Sequence, residues 1–393
     1  MKWFVLFLFL VSIAIAWFLG YRARPKEVLP RKMNIPRDYL IGLNFLLNEE
    51  TDKAVDIFVK MLEVDSDTVE THLAVGKLFR RRGEVDRAIR IHQNLIARPQ
   101  LEKNIREQSL YELGQDYLSA GMLDRAERIF LELVNLKSHS AQALQTLIDI
   151  YQQGKDWKNA ISMALKFDDI AQRDMQPIIA QYYCELADLE YAKKNHVQSS
   201  VCLDKALSAD KSCVRASLLQ AKILMDQGDY KNALKSLKKI KSQNPLYLSE
   251  SIDLLASCYE KLDEEEKLVI YLKQLLDEYP RVPVALILAE RIRKRKGDKV
   301  AATFVADYVR QYPSLRGLYI FVNIYISNAE GRARDDLQIL QNLMTKLLAT
   351  RPEYQCHSCG FSGKSLHWHC PGCKQWSTMM PVHGEEEVTA HSH

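Results

Sequence analysis

Four cysteines near the C-terminus, Cys356, Cys359, Cys370 and Cys373, form two C-x2-C pairs separated by ten residues. Each pair offers two thiolates from a tight turn, and a tetrahedral ion with metal–sulfur distances of about 2.3 Å needs that convergence. Zinc is the default ion for such a set, and iron is the alternative. Gly360 follows Cys359, and Pro371 and Gly372 lie between Cys370 and Cys373. Glycine there supplies the positive-φ backbone that lets N–H groups point at sulfur. His357, His367 and His369 stand among the cysteines, but four thiolates already complete a tetrahedron, so these imidazoles read as surface or supporting groups. Phe361, Trp368 and Trp376 are expected to form the module's own small core.

The runs C-H-S-C-G-F and C-P-G-C resemble the knuckles of rubredoxin and zinc-ribbon modules, over residues 353–380. So short a segment buries too little apolar surface to offset its chain entropy, so metal binding supplies most of its folding free energy. Two disulfides are the rival reading, and the compartment decides between them.

The opposite end of the chain addresses the compartment. Residues 1–20 read as one transmembrane helix: Trp3 to Gly20 carry no charge and only Ser12 as a polar interruption. Lys2 alone precedes the apolar run, whereas Arg22, Arg24, Lys26, Arg31, Lys32 and Arg37 follow it against Glu27. The positive-inside rule then keeps the body of the protein in the cytoplasm, and a reducing cytoplasm favours a metal over disulfides. The basic linker, residues 21–34, is either only this topology signal or also a holder of anionic headgroups. Cys184, Cys202, Cys213 and Cys258 lack pair spacing and are expected to pack as small buried apolar groups.

Something must position these ends, and residues 35–352 show helical apolar periodicity without strand alternation. Gly42 and Ala54 stand twelve residues apart, with Phe58 four further on. Gly76 with Ala88, Gly114 with Ala126 and Phe130, Ala221 with Ala233, and Ala289 with Ala301 repeat that spacing. Ala160 holds the second small position in a weaker copy, and Ala187 and Ala256 hold the first. The step from Gly42 to Gly76, and from Ala187 to Ala221, is 34 residues, the period of tetratricopeptide (TPR) repeats. Pro99, Pro245, Pro280, Pro313 and Pro352 close several units, since proline cannot continue the second helix. The expected fold is all-α: a superhelical solenoid of about eight or nine TPR hairpins, preceded by the span and followed by the metal module. Residues 381–393, with Glu385, Glu386 and Glu387 and no apolar period, read as a disordered tail.

Such an array binds proteins or peptides along its groove. The outward residues of each first helix are the candidate contacts: Lys77, Arg80 and Arg81, then Arg215 and Lys222, then Arg293 and Lys294. They either favour acidic partner segments or form a solvated face. Tyr39, Leu43, Leu46 and Leu47 offer an apolar set that either docks a partner or packs against the linker or a second copy. No phosphate-binding loop, nucleophile elbow, H-E-x-x-H pair or dinucleotide turn occurs, and a net charge of +4 is too mild for a nucleic-acid binder.

The order of span, array and cysteine module resembles the lipopolysaccharide assembly protein B family of Gram-negative bacteria. The opening M-K-W-F-V-L-F-L-F-L, the run from Gly42 to Ala54, and C-H-S-C-G-F followed by W-H-C-P-G-C carry the resemblance. It implies a regulatory adaptor at the inner membrane, not an enzyme, that helps the membrane protease FtsH degrade the deacetylase of the lipid A pathway. It further implies contact with lipopolysaccharide transport proteins and with an opposing inner-membrane partner. An iron-bearing electron-transfer protein and a general assembly scaffold are the competing readings.

Overall fold

The computed structural model describes Trp17, residues 37–48, Lys53, Ala54, Ile57 and residues 69–99, 101–326 and 329–382. The expected membrane span (Trp17 apart), the basic linker of residues 21–34, Phe58, the side chain of Leu46 and residues 383–393 lie outside the described residues. Among the described residues no helix is long and apolar enough to cross a membrane.

The chain divides into two units between Ile129 and Phe130. The first holds α1 (Arg37–Leu47), α2 (Val69–Arg81), α3 (Val85–Ile96), α4 (Lys103–Ser119) and the start of α5 (Leu123–Asn135). Ala54, Val75, Phe79, Ala88 and Ile91 form one of its core clusters, with Tyr39 and Phe45 packed on it. Tyr39 therefore faces inward, whereas Leu47 is 76% exposed.

The second unit continues with α6 (Ser140–Gln153), α7 (Trp157–Ala171), α8 (Gln176–Ala192), α9 (His196–Ala209), α10 (Val214–Asp226) and α11 (Tyr230–Gln243). A 3-10 turn at Pro245–Tyr247 leads into α12 (Leu248–Lys261), α13 (Glu265–Glu278), α14 (Val282–Lys296), α15 (Asp298–Gln311), α16 (Leu315–Ile326) and α17 (Arg332–Thr350). A three-stranded antiparallel sheet closes the described chain: β1 (Tyr354–Cys356) lies between β2 (Ser362–Gly363) and β3 (Met379–Pro381). Val382 N–H donates to the Glu353 carbonyl, so the module runs past Met380 and the ordered chain includes the first two residues assigned to the tail.

The small residues of the repeat register are all buried: Ala54, Ala88, Ala126, Ala160, Ala221, Ala233 and Ala301 have no exposed surface, and Ala187, Ala256 and Ala289 at most 5%. Two helices packed at the short end of the 8–10 Å range leave no room there for more than a methyl group. Ser199 fills the second small position opposite Ala187 and donates its hydroxyl to the Ala187 carbonyl at 2.8 Å. That bond satisfies the hydroxyl in the interior, which is why serine substitutes for alanine there.

Among the described residues, the seven hairpins from α2–α3 to α14–α15 each turn through one residue of positive φ: Gly83, Gly121, Lys155, Lys194, Gly228, Asp263 and Gly297 in sequence. In most of these turns the following N–H reaches back to a carbonyl in the last turn of the first helix, as Asp156 does to Tyr151 at 2.8 Å and Asp229 to Leu224 at 2.8 Å. This is the Schellman closure, and it satisfies carbonyls that the helix end would otherwise orphan. The second helix then begins with a side-chain cap in D-W-K-N and D-Y-K-N: Asp156 accepts from the Asn159 N–H at 3.3 Å and Asp229 from the Asn232 N–H at 3.2 Å. Each such cap contributes about 1 kcal/mol.

Candidate metal centre and its seat on the array

The four cysteine sulfurs all lie within 4.8 Å of one another, with Cys356–Cys373 and Cys359–Cys370 both at 3.7 Å. A tetrahedron with metal–sulfur bonds of ~2.3 Å has sulfur–sulfur edges of about 3.8 Å, so the cage already has the size of a four-thiolate site. The four residues form a metal-binding site.

The two knuckles repeat one local design. Gly360 N–H donates to the Cys356 carbonyl at 2.9 Å, and Lys374 N–H to the Cys370 carbonyl at 3.0 Å. Cys356 N–H donates to the Phe361 carbonyl at 2.7 Å, and Cys370 N–H to the Gln375 carbonyl at 2.9 Å. The left-handed residue sits one place after the second cysteine of each pair, at Gly360 (φ 76°) and Lys374 (φ 59°). Gly372 therefore does not supply positive φ as expected. It is needed for space: a Cβ there would lie 3.1 Å from the Cys359 sulfur and 3.2 Å from the Phe361 Cβ.

Burial raises the Cys356 thiol, but the Thr378 hydroxyl at 3.3 Å and the N–H groups of Cys359 and Ser358 outweigh it and bring it down to about 6. The Gln375 N–H lowers Cys373 in the same way. Thiolates are the ligand form, so these donors favour metal uptake through Cys356 and Cys373, whereas at Cys359 the lowering Phe361 N–H is outweighed by burial and the neighbouring cysteine sulfurs, which push that thiol up to about 11.

Of the three aromatic residues expected in the module core, none serves mainly there. Cys356, Cys370 and Met379 are the buried centre, with Tyr354, Leu366 and Cys373 around them, and Phe361 is 36% exposed. The tryptophans face the helical array instead. Trp376 meets Trp157 edge-on at 6.1 Å and Tyr182 at 5.8 Å, and its indole N–H donates to Gln152 Oε1 at 2.9 Å. Gln152 Oε1 also accepts from the Tyr182 hydroxyl at 2.9 Å, whose burial pushes its pKa up, so the phenol stays a donor. Trp368 stacks on Tyr247 at 5.4 Å, and the Tyr247 hydroxyl donates to the Met379 carbonyl at 2.7 Å. The Tyr354 hydroxyl donates to Glu250 at 2.8 Å, and Arg316 pairs with Glu353 at 3.0 Å. The module is thus fastened to α6, α7, α8, the 3-10 turn, α12 and α16. His369 belongs to this seat: it lies against Trp376 at 4.5 Å, Nε2 is 2.8 Å from the Lys374 carbonyl oxygen, and burial holds its pKa below the usual value.

The basic candidates divide. Arg80 does not face outward: it donates to Glu112 and Asp116, each at 2.7 Å, and Lys77 meets Glu112 at 2.8 Å. Asp116 also holds buried His92. Arg215 is 6% exposed and donates to Glu185 at 2.8 Å and Asp188 at 2.7 Å. Arg291, which is not among the expected contacts, is equally buried and paired with Glu260. In each case an arginine on one first helix meets carboxylates on the neighbouring first helix, so these charges are neutralised inside the repeat stack. Arg81, Lys222, Arg293 and Lys294 are exposed, with Arg293 4.0 Å from Asp298 and Lys294 3.4 Å from Glu290. Cys184, Cys202, Cys213 and Cys258 are buried as expected, with Cys184 and Cys213 sulfurs 3.9 Å apart.

Comparison with known proteins agrees with this anatomy. Residues 354–381 match the family described as Rubredoxin metal binding domain, and residues 71–104 and 184–246 match tetratricopeptide repeats. The chain is 36% identical over 382 residues to lipopolysaccharide assembly protein B of Escherichia coli K12, covering 97% of this chain and 98% of that protein. It is 35% identical over 392 residues to the protein of the same name from Haemophilus influenzae, covering 97% and 99%.

Proposed function

The chain belongs to the lipopolysaccharide assembly protein B family, and from that premise we propose that it is a non-catalytic adaptor. It is held at the inner membrane by residues 1–20 with its body in the cytoplasm, and it presents the lipid A pathway deacetylase to the membrane protease FtsH. Lipopolysaccharide transport proteins are its further partners. The observation that carries the reading is the metal centre itself. Four thiolates close the tetrahedron and leave no open position for substrate, while the module's aromatic face is spent on the array. A closed site docked on a helical repeat stack is suited to hold a binding surface in shape, and the ion that fits this role is zinc. The membrane span would raise the local concentration of that surface around a membrane protease without adding any contact.

The test is reconstitution. FtsH in liposomes, supplied with ATP and the purified deacetylase, should degrade it several-fold faster when the full chain is present. A form lacking residues 1–20 should lose most of that gain at equal concentration. Unchanged degradation with the full chain present would overturn the adaptor reading.

A further inference from the structure

The last helix of the array, α17, has one side covered and a second left bare. Met344 is buried and Gln341 donates to Asn323 of α16 at 2.7 Å, so that side packs on the preceding helix. The second side is apolar and open: Ile339, Leu340, Leu343 and Leu347 are between 44% and 60% exposed. We propose that this stripe pairs with the same stripe of a second copy of the chain, the two α17 helices lying antiparallel about a two-fold axis. The proposal stands apart from the adaptor reading.

A repeat array that ends in solvent needs a polar outer face on its terminal repeat. After α17 the chain turns through Arg351 and Pro352 into the metal module and supplies no further helix to stack. Leu340, Leu343 and Leu347 follow one another at steps of three and four residues, the seam spacing with which one helix receives another along its length. The stripe is therefore built to take a helix. The charges beside it identify that helix as its own copy. Asp335 and Lys346 are both exposed, and neither is ion-paired among the described residues. Eleven residues make about three turns, so the two lie on one flank of the stripe. A two-fold axis that makes the helices antiparallel keeps this flank on the same side and reverses its direction, so Asp335 of each copy meets Lys346 of the other. A parallel pairing would instead set like charges level with one another. The helix of 19 residues is about 28 Å long and its apolar part spans only the middle, so the face falls short of the ~800 Å² per partner of a standard interface. The association is accordingly reversible and concentration-dependent.

The experiment uses the full chain, metal-loaded and in detergent, and reads mass against concentration by analytical ultracentrifugation. The wild-type chain should pass from monomer to dimer over micromolar concentrations and stop there. Leu343→Glu should weaken the dimer about tenfold or more, because it carries an unpaired charge into the seam. The position is exposed, so circular dichroism and bound metal should not change. Asp335→Lys and Lys346→Asp should each weaken the dimer about fivefold, since each sets like charges together at two places. The double reversal in one chain restores both pairs and should bring the affinity back to within about twofold of wild type. A helix resting on a micelle, or a face that adheres to any apolar partner, would not show that rescue. A monomer at every concentration, growth beyond the dimer as in head-to-tail stacking, a dimer indifferent to Leu343→Glu, or charge reversal without rescue would each overturn the proposal.

Discussion

The Trp376 indole N–H donates to Gln152 Oε1 at 2.9 Å, joining residues 224 positions apart. That single acceptor also takes the Tyr182 hydroxyl, so one amide oxygen ties the metal module to two first helices of the array. Removing one donor leaves the amide satisfied; removing the amide leaves a buried indole N–H and a buried phenol without partners, which costs more.

Trp376→Ala should therefore loosen the module without emptying it. The expected cost to docking is about 3 kcal/mol, from loss of a large aromatic group packed between Trp157 and Tyr182. Bound metal should stay at one ion per chain, while limited proteolysis between Thr350 and Glu353 speeds up. Loss of metal together with docking would show that the seat and the site fold as one.

Cys356→Ser and Cys373→Ser should each lose the metal and unfold the segment from Glu353 to Val382, because ligand loss removes the folding energy of this small sheet. Helicity should fall little, since hairpins of a repeat array are held by their neighbours. Elemental analysis alongside circular dichroism checks both, and the wild-type protein should be colourless and contain zinc. A red, redox-active sample would instead favour the electron-transfer reading.

The Lys77, Arg80, Glu112 and Asp116 cluster gives the first unit an acid sensitivity. Burial raises the Glu112 carboxyl, but Lys77 and Arg80 outweigh it and hold it below its ordinary value of 4.5. A depressed folded-state pKa stabilises at pH above 4.5 and that contribution is lost as pH falls through the folded value. Glu112→Gln should accordingly cost about 1–2 kcal/mol at pH 7 and progressively less under acid. Urea midpoints for the two proteins should converge as the pH drops below 4.5.

How legible was this structure in the chain? The helix-pair register was, because a small residue at a close crossing leaves a mark at fixed spacing: Gly76, Ala88, Ala221 and Ala233 are all buried where the register puts them. The metal ligands were as well, because their spacing is local. The roles of Trp368 and Trp376 were not, since Tyr247 and Gln152 lie far away in sequence and no local pattern points to them. The same applies to Arg80 and Arg215, whose carboxylate partners sit about one repeat away, so the residues looked like exposed charges when read helix by helix. Lys155, Lys194 and Asp263 occupy left-handed turn positions that glycine holds elsewhere, which hid the regularity of the turns.

Gly76 offers the sharpest test of the repeat geometry. It lies on α2 beneath the buried imidazole of His92 on α3, and a Cβ at this position would overlap the ring. The ring cannot swing away freely, because its Nδ1 is held by Asp116, which Arg80 fixes in turn at 2.7 Å. Gly76→Ala should therefore destabilise the first unit by about 1–3 kcal/mol through overpacking, although alanine favours helix by ~1 kcal/mol over glycine. Adding His92→Ala removes the obstacle, so the double variant should be less destabilised than the sum of the two single changes. Thermal melts of the four proteins complete the cycle. Strict additivity would mean that the glycine serves some purpose other than making room for the histidine.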